Sequence, residues 1–110
     1  MKIIYTKSYD NTVKKLKKHE KELNNLHKII RDITNIEDFK TFLHLPSMIC
    51  IYKLERLRHI NDEIYSLNLC QNGGMIRLLV KPNNNCIVLL FISYKHYEDF
   101  SMDKVIYYDE

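Results

Sequence analysis

The stretch that decides the fold lies near the end of the chain and reads CIVLLFI, from Cys86 to Ile92. Seven consecutive apolar residues that follow a turn segment predict a buried strand. The chain continues as SYKHY over residues 93–97, so this strand delivers a cation, an imidazole and two phenols to a sheet edge. Such groups suit a site that handles phosphate, because Lys neutralises charge, His moves protons near neutral pH and an aromatic ring stacks on a base.

Two more strands precede this one and form a meander with it. Residues 64–69 alternate between apolar and polar positions, and residues 75–80 read MIRLLV. Turn signals separate the strands at Asn72-Gly73-Gly74 and at residues 82–85. Other extended segments are residues 2–8, 48–57 and 105–108. The last of these predicts a short edge strand beside an antiparallel meander.

Helical periodicity dominates the first part of the chain. Asp10-Asn11 offers a cap for a long amphipathic helix that runs to about Ile33. Thr34-Asn35 caps a second predicted helix, from Ile36 to about Leu45, which Pro46 ends. The sequence thus predicts an α+β fold of order β-α-α-β-β-β. Two helices pack on one face of a small, mainly antiparallel sheet, and the other face is free.

Composition indicates one folded domain. The chain has 110 residues, of which 45% are hydrophobic and 28% charged, enough for a single core. Its longest apolar run has seven residues and its start lacks a signal peptide, so we expect a cytoplasmic protein. The cysteines are odd in number and lie among apolar neighbours, which predicts reduced core residues: Cys50, Cys70 and Cys86.

The charge is unevenly distributed. The net charge is +3, and residues 64–97 contain Arg77, Lys81 and Lys95 but no acidic residue. Residues 98–110 form an acidic C-terminal extension. A sheet region without carboxylates favours an anionic partner, although a solvated face with a solubilising tail explains the charge pattern equally well.

The segment KLERLRH, from Lys53 to His59, places one carboxylate among several bases. If the segment is extended, Glu55 lies on one side while Arg56 and Arg58 lie on the other. Glu55 is then either a partner in a surface ion pair or a general base that its cationic neighbours keep ionised. Both interpretations fit the sequence.

Arg77 is the only charge within the strand at residues 75–80, so it must point to the polar face of the sheet. Its planar guanidinium suits a phosphate group, or it could be tied to a carboxylate such as Glu55. In a meander, Arg77 and the end of the last strand can share one face.

In this order, the motifs resemble those of the RelE/ParE superfamily of bacterial toxins, and within it the YoeB-type ribosome-dependent mRNA interferases. Lys53–His59 matches the Lys-x-Glu-x-Leu-Lys/Arg-His segment of that family, Arg77-Leu78 matches its Arg-Leu pair, and His96-Tyr97 matches its terminal His-Tyr. The predicted order of elements agrees with the family fold over nearly the whole chain. The first helix and the C-terminal extension make this chain longer than compact members.

The resemblance implies a type II toxin–antitoxin toxin that cleaves mRNA on the ribosome without a metal or other cofactor. It implies Glu55 as general base, Arg77 as phosphate clamp and His96 as general acid, with Tyr97 stacking on a base or positioning the scissile phosphate. Further RNA contacts would come from Lys53, Arg56, Arg58, Lys81 and Lys95. Lys95 stands where the family often has another residue, so the acid could be His96 or a Lys/Tyr combination.

The resemblance also implies a cognate antitoxin protein as partner. Two other functions stay open. A ParE-like toxin shares the fold and inhibits DNA gyrase without cutting RNA, although that branch lacks the acid–base groups that Glu55 and His96-Tyr97 would supply. A non-catalytic module of the same fold would only bind an acidic partner.

Overall fold

The centre of the molecule is a five-stranded sheet in the computed structural model, which describes residues 1–71 and 73–108. The strands are β1 (Lys2–Tyr5), β2 (Glu55–Arg56), β3 (Tyr65–Asn68), β4 (Arg77–Asn83) and β5 (Cys86–Ser93). Their spatial order is β1-β5-β4-β3-β2, with β1 parallel to β5 and every other pair antiparallel. The predicted meander is therefore present, and β5 is enclosed by a neighbour on each side.

The helical part is divided more finely than predicted. It comprises α1 (Lys7–Val13), a 3₁₀ turn (Lys14–Lys18), α2 (Glu20–Thr34) and α3 (Phe39–Leu43). The prediction of a single long first helix is thus wrong. Like charges one α-helical turn apart, at Lys14 and Lys18, disfavour an α-helix, while the tighter turn buries Leu16 completely. The cap of α1 is Thr6 and not the predicted Asp10-Asn11. Thr6 Oγ1 accepts a hydrogen bond from the Tyr9 amide at 3.0 Å.

The segment between α2 and the sheet also differs from the prediction. The helix α3 has five residues, and Asp38 caps it by accepting the Thr41 amide at 2.8 Å. Pro46 precedes a π-helical turn over Ser47–Ile51 instead of ending a longer helix. Residues 48–57 are therefore not continuously extended, and β2 is limited to Glu55–Arg56.

The main core lies between the helices and one face of the sheet. Helical side chains with 0–1% exposure meet strand side chains that are equally buried. They are Leu16, Leu26, Ile29, Ile33 and Phe42 from the helical segments, and Leu67, Leu78, Val80, Ile87 and Leu89 from the strands. This packing confirms the predicted α+β layers.

The opposite face of the sheet was predicted to be free, but it carries a second core. Its members are at most 2% exposed: Leu57, Ile64, Leu79, Val88 and Leu90. The C-terminal segment covers them with Phe100, Met102 and Val105, and the Phe100 ring lies 5.6 Å from that of Phe91. The sequence pattern does not indicate this core, because the covering residues lie within a segment whose charges dominate its composition.

A β-bulge in β5 widens this second core. Leu79 pairs with Phe91 while Val80 pairs with Leu89, which leaves Leu90 as an extra residue. Leu90 and Phe91 therefore both pack on the second face, and Ile92 returns to the main core.

Residues 105–108 do not form the predicted edge strand. The Ser8 amide donates to the Ile106 carbonyl at 3.1 Å, and the Ile106 amide donates to Ser8 Oγ at 2.6 Å. These bonds tie the tail to the start of α1. The rest of the predicted extension, Asp109 and Glu110, lies outside the described residues, as does Asn72 of the first predicted turn.

The cysteines are not all core residues. Cys50 is exposed, whereas Cys70 and Cys86 are half-buried, and all three are free thiols. The prediction of three core cysteines is wrong because Cys50 lies in the π-helical turn, in which Met48 is the buried residue. Within residues 1–71 and 73–108, no helix is long and apolar enough to cross a membrane.

We predict that Phe100→Ala lowers the free energy of unfolding by about 1–3 kcal/mol, because it removes a half-buried ring from the second core. The control from the same segment is Ile106→Ala. Because Ile106 is 52% exposed, this substitution should lower the free energy of unfolding by less than about 1 kcal/mol. Urea unfolding measures both variants. Equal losses would show that the tail does not cover a core.

Candidate active site

Glu55 lies on the edge strand β2 and points to the face that carries the second core. Its register partner on β3 is Ser66, which itself pairs with Leu79, so the three side chains form a row across the sheet. The residue is exposed, and the ion pair that the sequence allowed is absent from the described residues. The carboxylate is therefore available to a ligand from solvent.

An open groove of about 420 Å³ lies beside this carboxylate. Its lining combines the predicted segment with one residue of the distant β5 loop: Glu55, Arg56, Leu57, Arg58, His59 and Tyr97. The groove therefore brings together a carboxylate, two guanidinium groups and two aromatic rings. Lys53 is exposed but does not line it.

Tyr97 is the centre of an aromatic stack at this groove. Its ring stacks on His59 with centroids 5.5 Å apart and 27° between the planes, and the His96 ring lies 4.4 Å away. The sequence assigned no role to His59, which appeared only as the last residue of the Lys53–His59 segment. The stack juxtaposes two imidazoles, which are proton-exchanging groups, with a ring on which a base can stack.

Arg77 begins β4 and is half-buried on the same face. Its Nη1 donates to Asn68 Oδ1 at 3.1 Å, to the Gly74 carbonyl at 2.7 Å and to the Ile76 carbonyl at 3.3 Å. All three acceptors are neutral, and no carboxylate lies within 4.0 Å among the described residues. The predicted alternative of an ion pair with Glu55 is therefore absent, and the charge of Arg77 is not neutralised by a described partner.

Glu55 and Arg77 share a face without touching each other. Arg77 lies one row along the sheet from Leu79, and β2 is separated from β4 by β3. With strands about 4.8 Å apart, the two Cα atoms stand about 12 Å apart, a span that two long side chains and one phosphate can bridge. Lys95 is exposed beside His96, whereas Lys81 pairs with Val88 next to the second core, away from the groove.

A second cationic surface borders the β5 loop. All four lysines of the 3₁₀ turn at residues 14–18 are exposed around the buried Leu16. Lys15 Nζ lies 5.7 Å from the centre of the Tyr94 ring, and Tyr94 directly precedes Lys95. The predicted long helix included these residues, so their position beside the loop was not predicted.

Tyr94 fixes the start of this loop on α1. Its hydroxyl donates to the Thr12 carbonyl at 2.7 Å, and burial raises the pKa of Tyr94 to about 12.

In the described part of the chain, no three His, Cys, Asp or Glu side chains come close enough to hold a metal ion.

The fold relates this chain to a solved protein structure, although comparisons of the whole sequence find no relative. No protein-family model and no curated protein matches the sequence. The structure of the YoeB dimer from Staphylococcus aureus is similar, with a TM-score of 0.58 at 17% identity over 86% of this chain and 95% of that one. The chain therefore has the YoeB/RelE-type fold that its motifs predicted.

We predict that Tyr94→Phe lowers the free energy of unfolding by about 1 kcal/mol at pH 8, because it removes the hydrogen bond to Thr12. The raised pKa means that the folded protein holds the phenolic proton more tightly than the unfolded chain does. The Tyr94 hydroxyl therefore contributes fully to the free energy of unfolding below about pH 10, and this contribution is lost as the pH rises to about 12.

Urea unfolding at pH 8, 10 and 11.5 measures this difference. The difference in free energy of unfolding between the wild type and Tyr94→Phe should disappear as the pH rises. The control is Tyr5→Phe, at a residue that is 43% exposed, which should show no such difference. A difference that stays constant over this range would contradict the assignment.

Proposed function

We propose that this protein is the toxin of a type II toxin–antitoxin system and that it cleaves mRNA on the ribosome as a metal-independent endoribonuclease. The observation that carries the proposal is the groove that brings Glu55 together with Tyr97, whose ring lies 4.4 Å from the His96 ring just outside the groove lining. Arg77 lies on the same face and makes no ion pair within the described residues. The likeness of the fold to YoeB and the order of the motifs support the same function.

In this reaction Glu55 accepts the proton of a ribose 2′-hydroxyl, whose oxygen attacks the adjacent phosphorus. The bond from phosphorus to the 5′ oxygen breaks, and His96 donates a proton to that leaving oxygen. Arg77 and Lys95 stabilise the additional negative charge of the transition state. The products are a 2′,3′-cyclic phosphate and a 5′-hydroxyl.

Tyr97 and His59 would hold a base next to the scissile phosphate. Their stacked rings form part of the groove wall, and base–aromatic stacking contributes about 1–3 kcal/mol per base in single-stranded RNA. Arg56 and Arg58 line the same groove and can bind the neighbouring phosphates. Lys53 lies just before this segment and Lys81 farther along the same face, where each would contact the strand outside the groove.

The openness of the site supports a polymeric substrate. Glu55 and His96 are exposed and Tyr97 is half-buried, whereas enzymes of small molecules enclose most of the ligand. A ribosome would supply the remaining enclosure by presenting the mRNA strand. The exposed lysines at residues 14–18 offer a further surface for an RNA backbone.

The proposed partner is a cognate antitoxin protein that neutralises the toxin. Two alternatives remain within the same fold, a ParE-like inhibitor of DNA gyrase and a non-catalytic binding module. The acid–base groups at the groove favour RNA cleavage over both, since neither alternative needs a carboxylate beside an imidazole.

We predict that induced expression of the wild type arrests bacterial growth and produces new mRNA 5′ ends inside translated regions. Glu55→Gln, Arg77→Ala and His96→Gln should each reduce the cleavage rate by at least about 100-fold, because each removes a proposed catalytic group. The matched control is Glu37→Gln, an exposed carboxylate on the loop before α3, which should cut as the wild type does.

Mapping of mRNA 5′ ends after induction gives the result. Arrest without new 5′ ends would replace cleavage by an effect on gyrase or another target. No arrest, with all variants alike, would favour a binding module.

A further inference from the structure

A buried serine lies at the base of the loop that carries His96 and Tyr97. Ser93 ends β5 with 0% exposure, and its register partner is Arg77. Its Oγ donates to Asp99 Oδ1 at 2.5 Å and accepts the amide of Tyr97 at 2.7 Å and the amide of Lys95 at 3.3 Å. Asp99 Oδ2 also accepts the amide of Tyr94 at 3.4 Å.

The loop that these bonds close has an unusual backbone. His96 has φ 55° and Tyr97 has φ 60°, so two consecutive residues with side chains occupy the left-handed region. Residues other than glycine rarely adopt this conformation, and they keep it only where the surroundings enforce it. The amide of His96 donates to the Met75 carbonyl at 3.0 Å, which ties the loop to the start of β4.

The left-handed backbone sets where the two rings lie. Without it, the chain would leave β5 as an extended strand, and successive side chains would point to opposite faces of the sheet. Instead, the rings of His96 and Tyr97 lie 4.4 Å apart, and the Tyr97 ring stacks on that of His59. The bonds of Ser93 and Asp99 are the side-chain contacts that hold this turn closed.

We propose that Ser93 and Asp99 are positioning residues, which act by holding His96 and Tyr97 in the geometry that RNA cleavage requires. Ser93 is fully buried, and both carboxylate oxygens of Asp99 accept hydrogen bonds from Ser93 and Tyr94, so both residues act through the loop. Asp99 belongs to the acidic C-terminal segment, so this role joins that segment to the site. The proposal rests on the proposed function for its kinetic consequence, whereas its structural consequence is independent of any activity.

The test compares Ser93→Ala, Asp99→Ala and Asp99→Asn with the control Asp103→Asn. Asp103 is an exposed carboxylate of the same segment, and its side chain makes no hydrogen bond among the described residues. Asp99→Asn keeps an oxygen that can accept the Ser93 hydroxyl, so it should rescue part of the loss. It also keeps the shape of the loop if the alanine variants fold poorly.

Two readouts are measured on each variant: the cleavage kinetics on translating ribosomes, and hydrogen exchange at the amides of Lys95 and Tyr97. Both alanine variants should lower kcat roughly 10- to 100-fold with KM changed less than about twofold, because they displace reacting groups but leave the groove intact. The two amides should exchange at least about tenfold faster in Ser93→Ala, which removes the acceptor that they share. They should also exchange faster in Asp99→Ala, because the Ser93 hydroxyl loses the carboxylate that orients it.

Unchanged protection of the two amides, or unchanged kcat despite lost protection, would overturn the proposal. A rise in KM equal to the fall in kcat, shared by Asp99→Asn, would overturn it in favour of general damage to the groove. If the wild type cuts no RNA, the proposed function fails by itself. The exchange data then decide alone: faster exchange supports the positioning role, and unchanged exchange rejects it.

Discussion

The position of β5 between β1 and β4 is the constraint on which the rest of the molecule depends. Hydrogen bonds on both edges and apolar contacts on both faces leave this strand only one register. Ile87, Leu89 and Ile92 contribute to the main core, while Val88 and Leu90 contribute to the second. Because the strand is fixed, its end at Ser93 is fixed as well, and the loop that carries the His-Tyr pair starts from a rigid support.

The second face of the sheet is divided between packing and chemistry. One part is apolar and is covered by Phe100, Met102 and Val105. The other part remains open and holds Glu55 beside the groove and Arg77 one row further along the sheet. The tail thus shields the apolar surface that would otherwise adjoin the proposed RNA site. One segment both completes the core and, through Asp99, contacts the end of β5.

The sequence predicted the parts of the fold that short-range patterns encode. Alternation and turn signals located β3, β4 and β5, and the motifs indicated the YoeB/RelE-type fold that the structure has. The break between α1 and α2 and the covered second face were missed, because both depend on tertiary packing of Leu16 and of the tail. The family motifs implied that Glu55 and Tyr97 belong to one site, but the stack of Tyr97 on His59 depends on the geometry of the loop.

The proposed function requires attack by the ribose 2′-hydroxyl, and one substitution in the substrate tests this step directly. A translated mRNA that carries a single 2′-deoxynucleotide at the mapped cut, compared with the all-ribose message in a reconstituted translation system, isolates that hydroxyl. We expect cleavage at the modified position to disappear while other positions are cut at their usual rates. Continued cleavage at the modified bond would contradict a mechanism in which Glu55 activates the 2′-hydroxyl.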